Sequence, residues 1–329
     1  MPALGRRPAW LDAHAHTSAE SGNAFLHDVL TGLARPQKSI PPKYFYDAAG
    51  SHLFDRICDV PEYYPTRTEL AILAEAAPAI AARIGPGAAL IEFGAGSSVK
   101  ARILLDALDA PSAYIPIDIS GDHMRAAAQE LARDYPDIAV VPVEADFMQK
   151  VRLPASLERR ARLGFFPGST IGNLSPDNAE TFMSRAAGSL GSGAYFLVGV
   201  DLKKHGAILH AAYNDAAGVT AAFNLNLLTR INRELGGTFD LKAFRHRAYY
   251  NAARGRVEMH LESLKPQTVR VAGDNFAFRE GETIHTENSY KYSVADFQNL
   301  AARTGWRPVD CFMDSEKLFS VHLLAHDGA

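Results

Sequence analysis

The chain has 329 residues, enough for one large or two ordinary domains with a sizeable core. It is 47% hydrophobic and 22% charged with a formal net charge of -3, so there is no electrostatic case for nucleic acid or an anionic membrane as partner. Cys58 and Cys311 are too few for a disulfide framework or a cysteine-rich metal site and read as thiols of a reduced, cytoplasmic protein. No run of 18 apolar residues occurs and no apolar segment follows Arg6 and Arg7, so neither a membrane span nor a signal peptide is expected.

Residues 1–22 are Ala/Pro-rich and read as an N-terminal extension. His14 and His16 make an HxH pair there, but residues two apart share a face only on a strand, and this stretch has no strand character. The pattern predicts a helix over 23–33 and a loop over 36–42. Two tyrosine-rich clusters follow, Lys43-Tyr44-Phe45-Tyr46-Asp47 and Glu62-Tyr63-Tyr64-Pro65-Thr66-Arg67. Packing explains many such rings, yet Tyr63 precedes a Tyr-Pro step that stiffens the loop and holds out a phenol for a small ligand. Both readings stand. A helix is expected over 68–84, broken or kinked at Pro78.

The stretch Ala88-Ala89-Leu90-Ile91-Glu92-Phe93-Gly94-Ala95-Gly96-Ser97-Ser98-Val99-Lys100 organises the chain. A buried strand ends at an acid, meets two glycines and runs into a helix over 99–108, the opening unit of a doubly wound sheet. A second strand, 114–118, ends at Asp118, 24 residues after Gly94 and placed for the hydroxyls of a ribose. Ser120 and Asp122 read as a helix cap and first-turn acid. The third strand, 138–143, leads to Asp146 and Phe147, able to bond an adenine amine and cover its ring. Ligand-type groups at three successive strand ends, with Val99 where a dinucleotide fingerprint needs its third glycine, lean toward S-adenosylmethionine over a nicotinamide. The fourth strand, 163–166, runs into a glycine-rich loop carrying Gly168 and Asn173; the amide is donor and acceptor, although a turn asparagine is the bland alternative. A helix from Ser175-Pro176 to about 190 and a buried strand over 194–201 complete this part.

After Asp201 the alternation stops. Residues 206–235 are largely helical and contain Tyr213; strands follow over 243–250, 257–263 and 267–278, the last turning at Gly273-Asp274. Ser293 caps a helix over 294–302, and strands over 309–313 and 318–324 form a terminal hairpin. A hairpin added to a parallel sheet is a class I methyltransferase feature that a dehydrogenase does not require. The expected fold is therefore α/β, a class I, Rossmann-like sheet with a terminal antiparallel hairpin plus a smaller α+β lid. The expected division gives 23–67 and 202–289 to a substrate-binding lid and 68–201 and 290–329 to the cofactor-binding domain.

Five motifs carry a resemblance: Tyr44-Phe45-Tyr46-Asp47, Pro61-Glu62-Tyr63-Tyr64-Pro65-Thr66-Arg67, Glu92-Phe93-Gly94-Ala95-Gly96-Ser97, Phe166-Pro167-Gly168-Ser169-Thr170-Ile171-Gly172-Asn173 and Thr286-Glu287-Asn288-Ser289-Tyr290-Lys291-Tyr292. In order and spacing they resemble the histidine Nα-methyltransferases of ergothioneine biosynthesis, over residues 23–326. The resemblance implies that Gly94, Lys100, Asp118, Asp146 and Phe147 bind S-adenosylmethionine, and that Tyr63, Asn173 and Tyr213, with the Gly168 backbone, hold the amino-acid end of histidine. It implies that Glu287 and Ser289 hold the imidazole, that Met259 lines that pocket and that Tyr46 lies near the site. The activity it implies is trimethylation of the α-amine of L-histidine to hercynine, by a monomer. Water or Tyr46 would take the amine proton. A different amino acid as substrate keeps the fold but not the use of Glu287 and Ser289. A nicotinamide oxidoreductase does not need the hairpin, and an inactive homologue used for binding would have lost polar motif positions that are intact here.

Overall fold

The computed structural model describes residues 18–96, 98–119, 121–154, 157 and 160–328. The His14/His16 pair, Ser97 and the expected cap Ser120 lie outside these residues. The described chain opens with α1 (Ser18–Leu33) and β1 (Lys38–Ser39), a two-residue strand where a loop was expected. A 3-10 turn over Pro42–Phe45 leads to α2 (Ala48–Asp59), where the Asp47 carboxylate accepts the Gly50 N–H at 2.8 Å as N-cap.

Helix α3 (Tyr64–Ile84) starts earlier than expected because Pro65 suits a first turn, and it runs through Pro78 without ending there. Pro78 and Ala74 are both exposed, so the carbonyl left without a donor faces water. Meanwhile Ile72, Leu73, Ala76, Ile80 and Ile84 pack against the sheet and hold the helix in one piece. Then come β2 (Ala89–Phe93), α4 (Val99–Ala107), β3 (Ala113–Asp118) and α5 (Gly121–Asp134). The expected third strand is two fragments, β4 (Ala139–Val140) and β5 (Val143–Glu144), split at Pro142, which has no N–H to give a ladder. Next follow β6 (Arg162–Phe166), a 3-10 turn over Thr170–Asn173, α6 (Pro176–Leu190) and β7 (Ala194–Asp201).

Beyond β7 lie α7 (Gly206–Tyr213), α8 (Val219–Leu235), β8 (Phe244–Asn251), β9 (Arg256–Ser263), β10 (Gln267–Val271), β11 (Asp274–Phe278) and β12 (Thr283–Tyr290). The chain closes with α9 (Val294–Arg303), opened by a Ser293–Asp296 capping box, and the strands β13 (Arg307–Met313) and β14 (Phe319–His326). The main sheet has the order β13-β14-β7-β6-β2-β3-β4, with β5 also on β3. Its strands are parallel except for the terminal hairpin, in which β14 runs antiparallel to β7. The chain reverses direction across the sheet between β2 and β6, and the ligand crevice of such a sheet lies at that switch.

Both faces of the main sheet are covered. Phe93, Phe166, Phe182, Phe196 and Trp306 fill one side, and the α3 stripe with Leu104, Leu131 and Phe319 fills the other. Each fully buried ring of this kind contributes about 1.5–3 kcal/mol of transfer free energy. A second sheet, β1-β12-β9-β8, shares its apolar core with residues from the chain's beginning: Phe25, Phe45 and Tyr64 pack with Phe223, Leu227 and Ile284. The two sheets are stitched where β7 and β12 end. Tyr292 N–H donates to Asp201 O at 3.1 Å and Lys203 N–H to Tyr292 O at 2.9 Å. The loop after β6 presses on β12 so closely that a Cβ on Gly172 would lie 2.7 Å from Tyr290 O, a position only glycine fills.

Candidate active site

At the end of β2, Gly94 has φ +73°, a left-handed conformation that β-carbon sterics disfavour in other residues. Its N–H and that of Ala95 both donate to Ile117 O, at 2.8 and 3.1 Å, which fixes the turn to β3. A Cβ added to Gly94 would meet only the Phe147, Phe166 and Thr170 side chains, at 3.7 Å or more. Phe147 therefore faces the glycine turn, and it stands edge-on to Phe166 and Phe182 at 5.3 and 5.4 Å. Asp146 accepts the Met148 N–H at 2.8 Å, a local turn that orients its carboxylate, and Asp118 ends β3 half-buried. Just before the glycines, Glu92 is buried against the Tyr114 hydroxyl, and burial pushes its carboxyl up to about 7.

Lys100, in the first turn of α4, is held by an acid that the sequence reading did not single out. Its ammonium lies 2.5 Å from Glu69 Oε2, and the fully buried Glu69 carboxylate also accepts the Gly168 N–H at 2.9 and 3.0 Å. The Gly168 N–H is thus committed inside the protein, and its carbonyl is what it can offer a ligand. The signal for Glu69 was available: it lies three, four and seven residues before Ile72, Leu73 and Ala76, on the buried stripe of α3.

On the other side of the crevice is a small cavity lined by Tyr46, Tyr63, Gly168, Asn173, Tyr213, Glu287 and Ser289, together with Phe54, Asp201 and Lys291. Seven of the eight expected substrate residues therefore converge. Met259, 2% exposed, is the cross-strand partner of Glu287 and stands beside it on the same face of the sheet. A bulge in β12 between His285 and Glu287 explains how the acid reaches the cavity. Thr286 is the extra residue, so Glu287 and Ser289 turn to the face that a regular strand would have denied them.

Burial pushes the Glu287 carboxyl up to about 7, although Lys291 pulls against that rise. Its carboxylate accepts no hydrogen bond from the described residues. Ser289 Oγ accepts from the Tyr213 hydroxyl at 2.7 Å and from Lys291 Nζ at 2.7 Å. Lys291 Nζ also lies 2.6 Å from Asp201 Oδ2, and Asp201 further binds the Tyr64 hydroxyl and the Lys204 ammonium. Burial favours a neutral Asp201, but the two ammoniums outweigh it and hold the carboxyl below its usual value.

Tyr63 stands edge-on to Tyr213 and Phe54 at 6.4 and 6.5 Å, and Tyr46 to Phe54 and Phe223 at 5.7 Å. Burial raises all three phenols, Tyr46, Tyr63 and Tyr213, above their usual value. At neutral pH they are protonated donors.

Glu258, His260 and His285 are the group among the described residues that brings three metal-type ligand atoms within 4.8 Å. A metal must lie in the plane of each imidazole. Here the two rings are stacked, 13° apart in plane with centroids at 4.7 Å, so their lone pairs do not converge. Glu258 is also taken up by Tyr249, Asn251 and Arg256. The cluster is a polar bracket within the second sheet.

A doubly wound sheet with a terminal antiparallel hairpin, a glycine turn at the first strand end and acids at the next two defines an S-adenosylmethionine-dependent methyltransferase. The open Gly94 turn and the half-buried Asp118 beside it fit a nucleoside donor. Residues 25–326 match the family described as histidine-specific methyltransferase, SAM-dependent. The chain belongs to that family. It is 42% identical over 308 residues to "Histidine N-alpha-methyltransferase" of Mycolicibacterium smegmatis, covering 92% of this chain and 95% of that protein. The protein of the same description from Mycobacterium tuberculosis is 38% identical over 317 residues, covering 94% and 98%. "Ergothioneine biosynthesis protein 1" of Neurospora crassa is 28% identical over 90% of this chain, which spans 34% of that longer protein. No helix among the described residues is long and apolar enough to cross a membrane.

Proposed function

We propose that this protein methylates the α-amino group of L-histidine three times to give hercynine, the first step of ergothioneine biosynthesis. One observation carries the reading: Glu287, a buried carboxylate with no hydrogen-bond donor among the described residues, lines the cavity two residues from Ser289. An imidazole N–H satisfies that carboxylate, and Ser289 meets the other ring nitrogen. A side chain lacking these nitrogens leaves the acid unpaired, a difference that discriminates by roughly 10⁴-fold. The two mycobacterial relatives support the substrate, and the Neurospora protein supports the pathway.

The lid comprises 23–67 and 202–289, and the cofactor unit 68–201 and 290–329. Bound S-adenosylmethionine supplies an electrophilic methyl group. Gly94, Asp118, Asp146 and Phe147 hold its nucleoside, and Lys100 its carboxylate. Tyr63, Asn173 and Tyr213 grip the amino-acid end of histidine so that the nitrogen lone pair faces the donor. Such alignment is worth on the order of 7–11 kcal/mol of the barrier. The amine gives its proton to water, since the phenols around it are themselves protonated. As methyl groups accumulate the nitrogen becomes a fixed cation, and the faces of Tyr46, Tyr63 and Tyr213 each stabilise it by ~0.5–2 kcal/mol. The two free thiols, Cys58 and Cys311, fit a reducing, cytoplasmic setting.

The test is mass spectrometry of each free amino acid after incubation with enzyme and S-adenosylmethionine. Histidine alone should gain one to three methyl groups. Methylation of a different amino acid in its place would overturn the use assigned to Glu287 and Ser289.

A further inference from the structure

The cavity contains a cation that the histidine reading does not use. Lys291 is 3% exposed, and its ammonium has three hydrogens with three acceptors in reach: Asp201 Oδ2 at 2.6 Å, Ser289 Oγ at 2.7 Å and the Tyr213 hydroxyl at 3.1 Å. No donor is left over. Asp201 is buried at the end of β7 in the main sheet, so the ammonium is anchored to the half of the molecule that carries the cofactor-side residues.

A serine hydroxyl has two lone pairs and one hydrogen. In the 2.7 Å contact between Ser289 and Tyr213 the phenol is the more acidic hydroxyl and donates, so both Ser289 lone pairs are occupied, one by Lys291 and one by Tyr213. What Ser289 can still give is its own hydrogen, and no described residue accepts it. We propose that Lys291 is a positioning residue for substrate recognition: held by Asp201, it fixes Ser289 as a donor only. The pocket then reads a ring with a bare nitrogen facing Ser289 and an N–H facing Glu287, which is one tautomer of a neutral imidazole. An imidazolium, with N–H on both sides, sets two hydrogens against each other at Ser289. The inference rests on histidine being the substrate and adds the residue that makes the pocket directional.

The test is a double-mutant cycle on the full chain with Lys291→Met and Ser289→Ala. Histidine affinity is measured by calorimetry in the presence of S-adenosylhomocysteine, and S-adenosylhomocysteine affinity is measured separately. Each single variant should weaken histidine ~10- to 100-fold, the range for a hydrogen bond involving a charged group. The double variant should be within about threefold of the weaker single, because Lys291 acts through Ser289. S-adenosylhomocysteine affinity should stay within about twofold throughout. A lysine that merely fills space disturbs the pocket whether or not Ser289 is present. Losses that multiply, or a Lys291→Met variant that loses S-adenosylhomocysteine and keeps histidine, would overturn the inference. Lys291→Gln, polar and closer in shape, completes the same cycle if the methionine variant does not fold. A wild-type protein that fails to bind histidine refutes the functional reading itself, whereas one that binds it with multiplying losses refutes only the role of Lys291.

Discussion

Glu287→Gln separates what this carboxylate does for binding from what it does to stability. Its carboxyl is raised by burial from the ordinary 4.5 to about 7, while an unfolded chain releases the same proton near the ordinary value. Between those two values the native state binds more protons than the unfolded state, so stability falls as pH rises through that window. At 1.36 kcal/mol per tenfold, ionised Glu287 costs the ligand-free protein ~3 kcal/mol by pH 8. Glutamine keeps the shape and never ionises. The variant should match the wild type below about pH 4, where Glu287 is protonated in both states, and be more stable by roughly that amount at pH 8. Urea unfolding of ligand-free protein at half-unit steps from pH 3.5 to 8.5 measures it. Glu92 also titrates near 7, but it is present in both proteins and cancels in the difference. Saturating histidine should then close the gap at pH 8, because a ligand at ~100 times its Kd stabilises the wild type by about 2.7 kcal/mol and the variant much less. A stability difference that does not change with pH, or a glutamine variant less stable at pH 8, would refute the claim that Glu287 is buried without a partner.

Glu69→Gln removes the charge that holds Lys100 while keeping an acceptor for the Gly168 N–H. S-adenosylhomocysteine should bind ~10-fold more weakly by calorimetry, as expected when a charge-assisted hydrogen bond is lost; unchanged affinity would mean that Lys100 needs no orienting partner. Asp201→Ala strips the shared acceptor from Lys291, Lys204 and Tyr64, and leaves the buried Lys291 ammonium without its carboxylate. It should destabilise the protein by ~3–5 kcal/mol in urea unfolding at pH 7, because buried charges are left uncompensated. A loss below about 1 kcal/mol would show that the ammoniums find other partners.

The main sheet was legible because its strands are uninterrupted apolar runs ending in glycines or acids; β7 falls on the expected 194–201. Prolines were the weak point, since their effect depends on which way the backbone faces. Pro78 sits on the wet side of α3 and leaves it intact, whereas Pro142 lies in line with the ladder and splits a strand. The cavity residues were found through spaced motifs rather than periodicity. Glu69, Asp201, Lys204 and Lys291 were not singled out. Each looks like an ordinary charge in sequence, and only the fold brings an acid on α3 to a lysine on α4, or the end of β7 to the end of β12.

The pocket proposed for histidine is formed at a joint. Glu287 and Ser289 belong to β12 of the smaller sheet and reach the cavity through a bulge, while the ammonium that saturates Ser289 is anchored on the last residue of β7. Gly172 lets the Asn173 loop lie directly against Tyr290, and the backbone bonds between Tyr292 and both Asp201 and Lys203 keep the sheets in register. Methyl transfer needs the nitrogen to be within a fraction of an ångström of its line of attack. A substrate carried only by the smaller sheet would inherit every relative movement of the two halves. Through Asp201 and Lys291, the hydroxyl of Ser289 proposed to read the imidazole is held from the same sheet that presents the glycine turn, so on that proposal recognition of the ring and alignment of the amine are set in one frame.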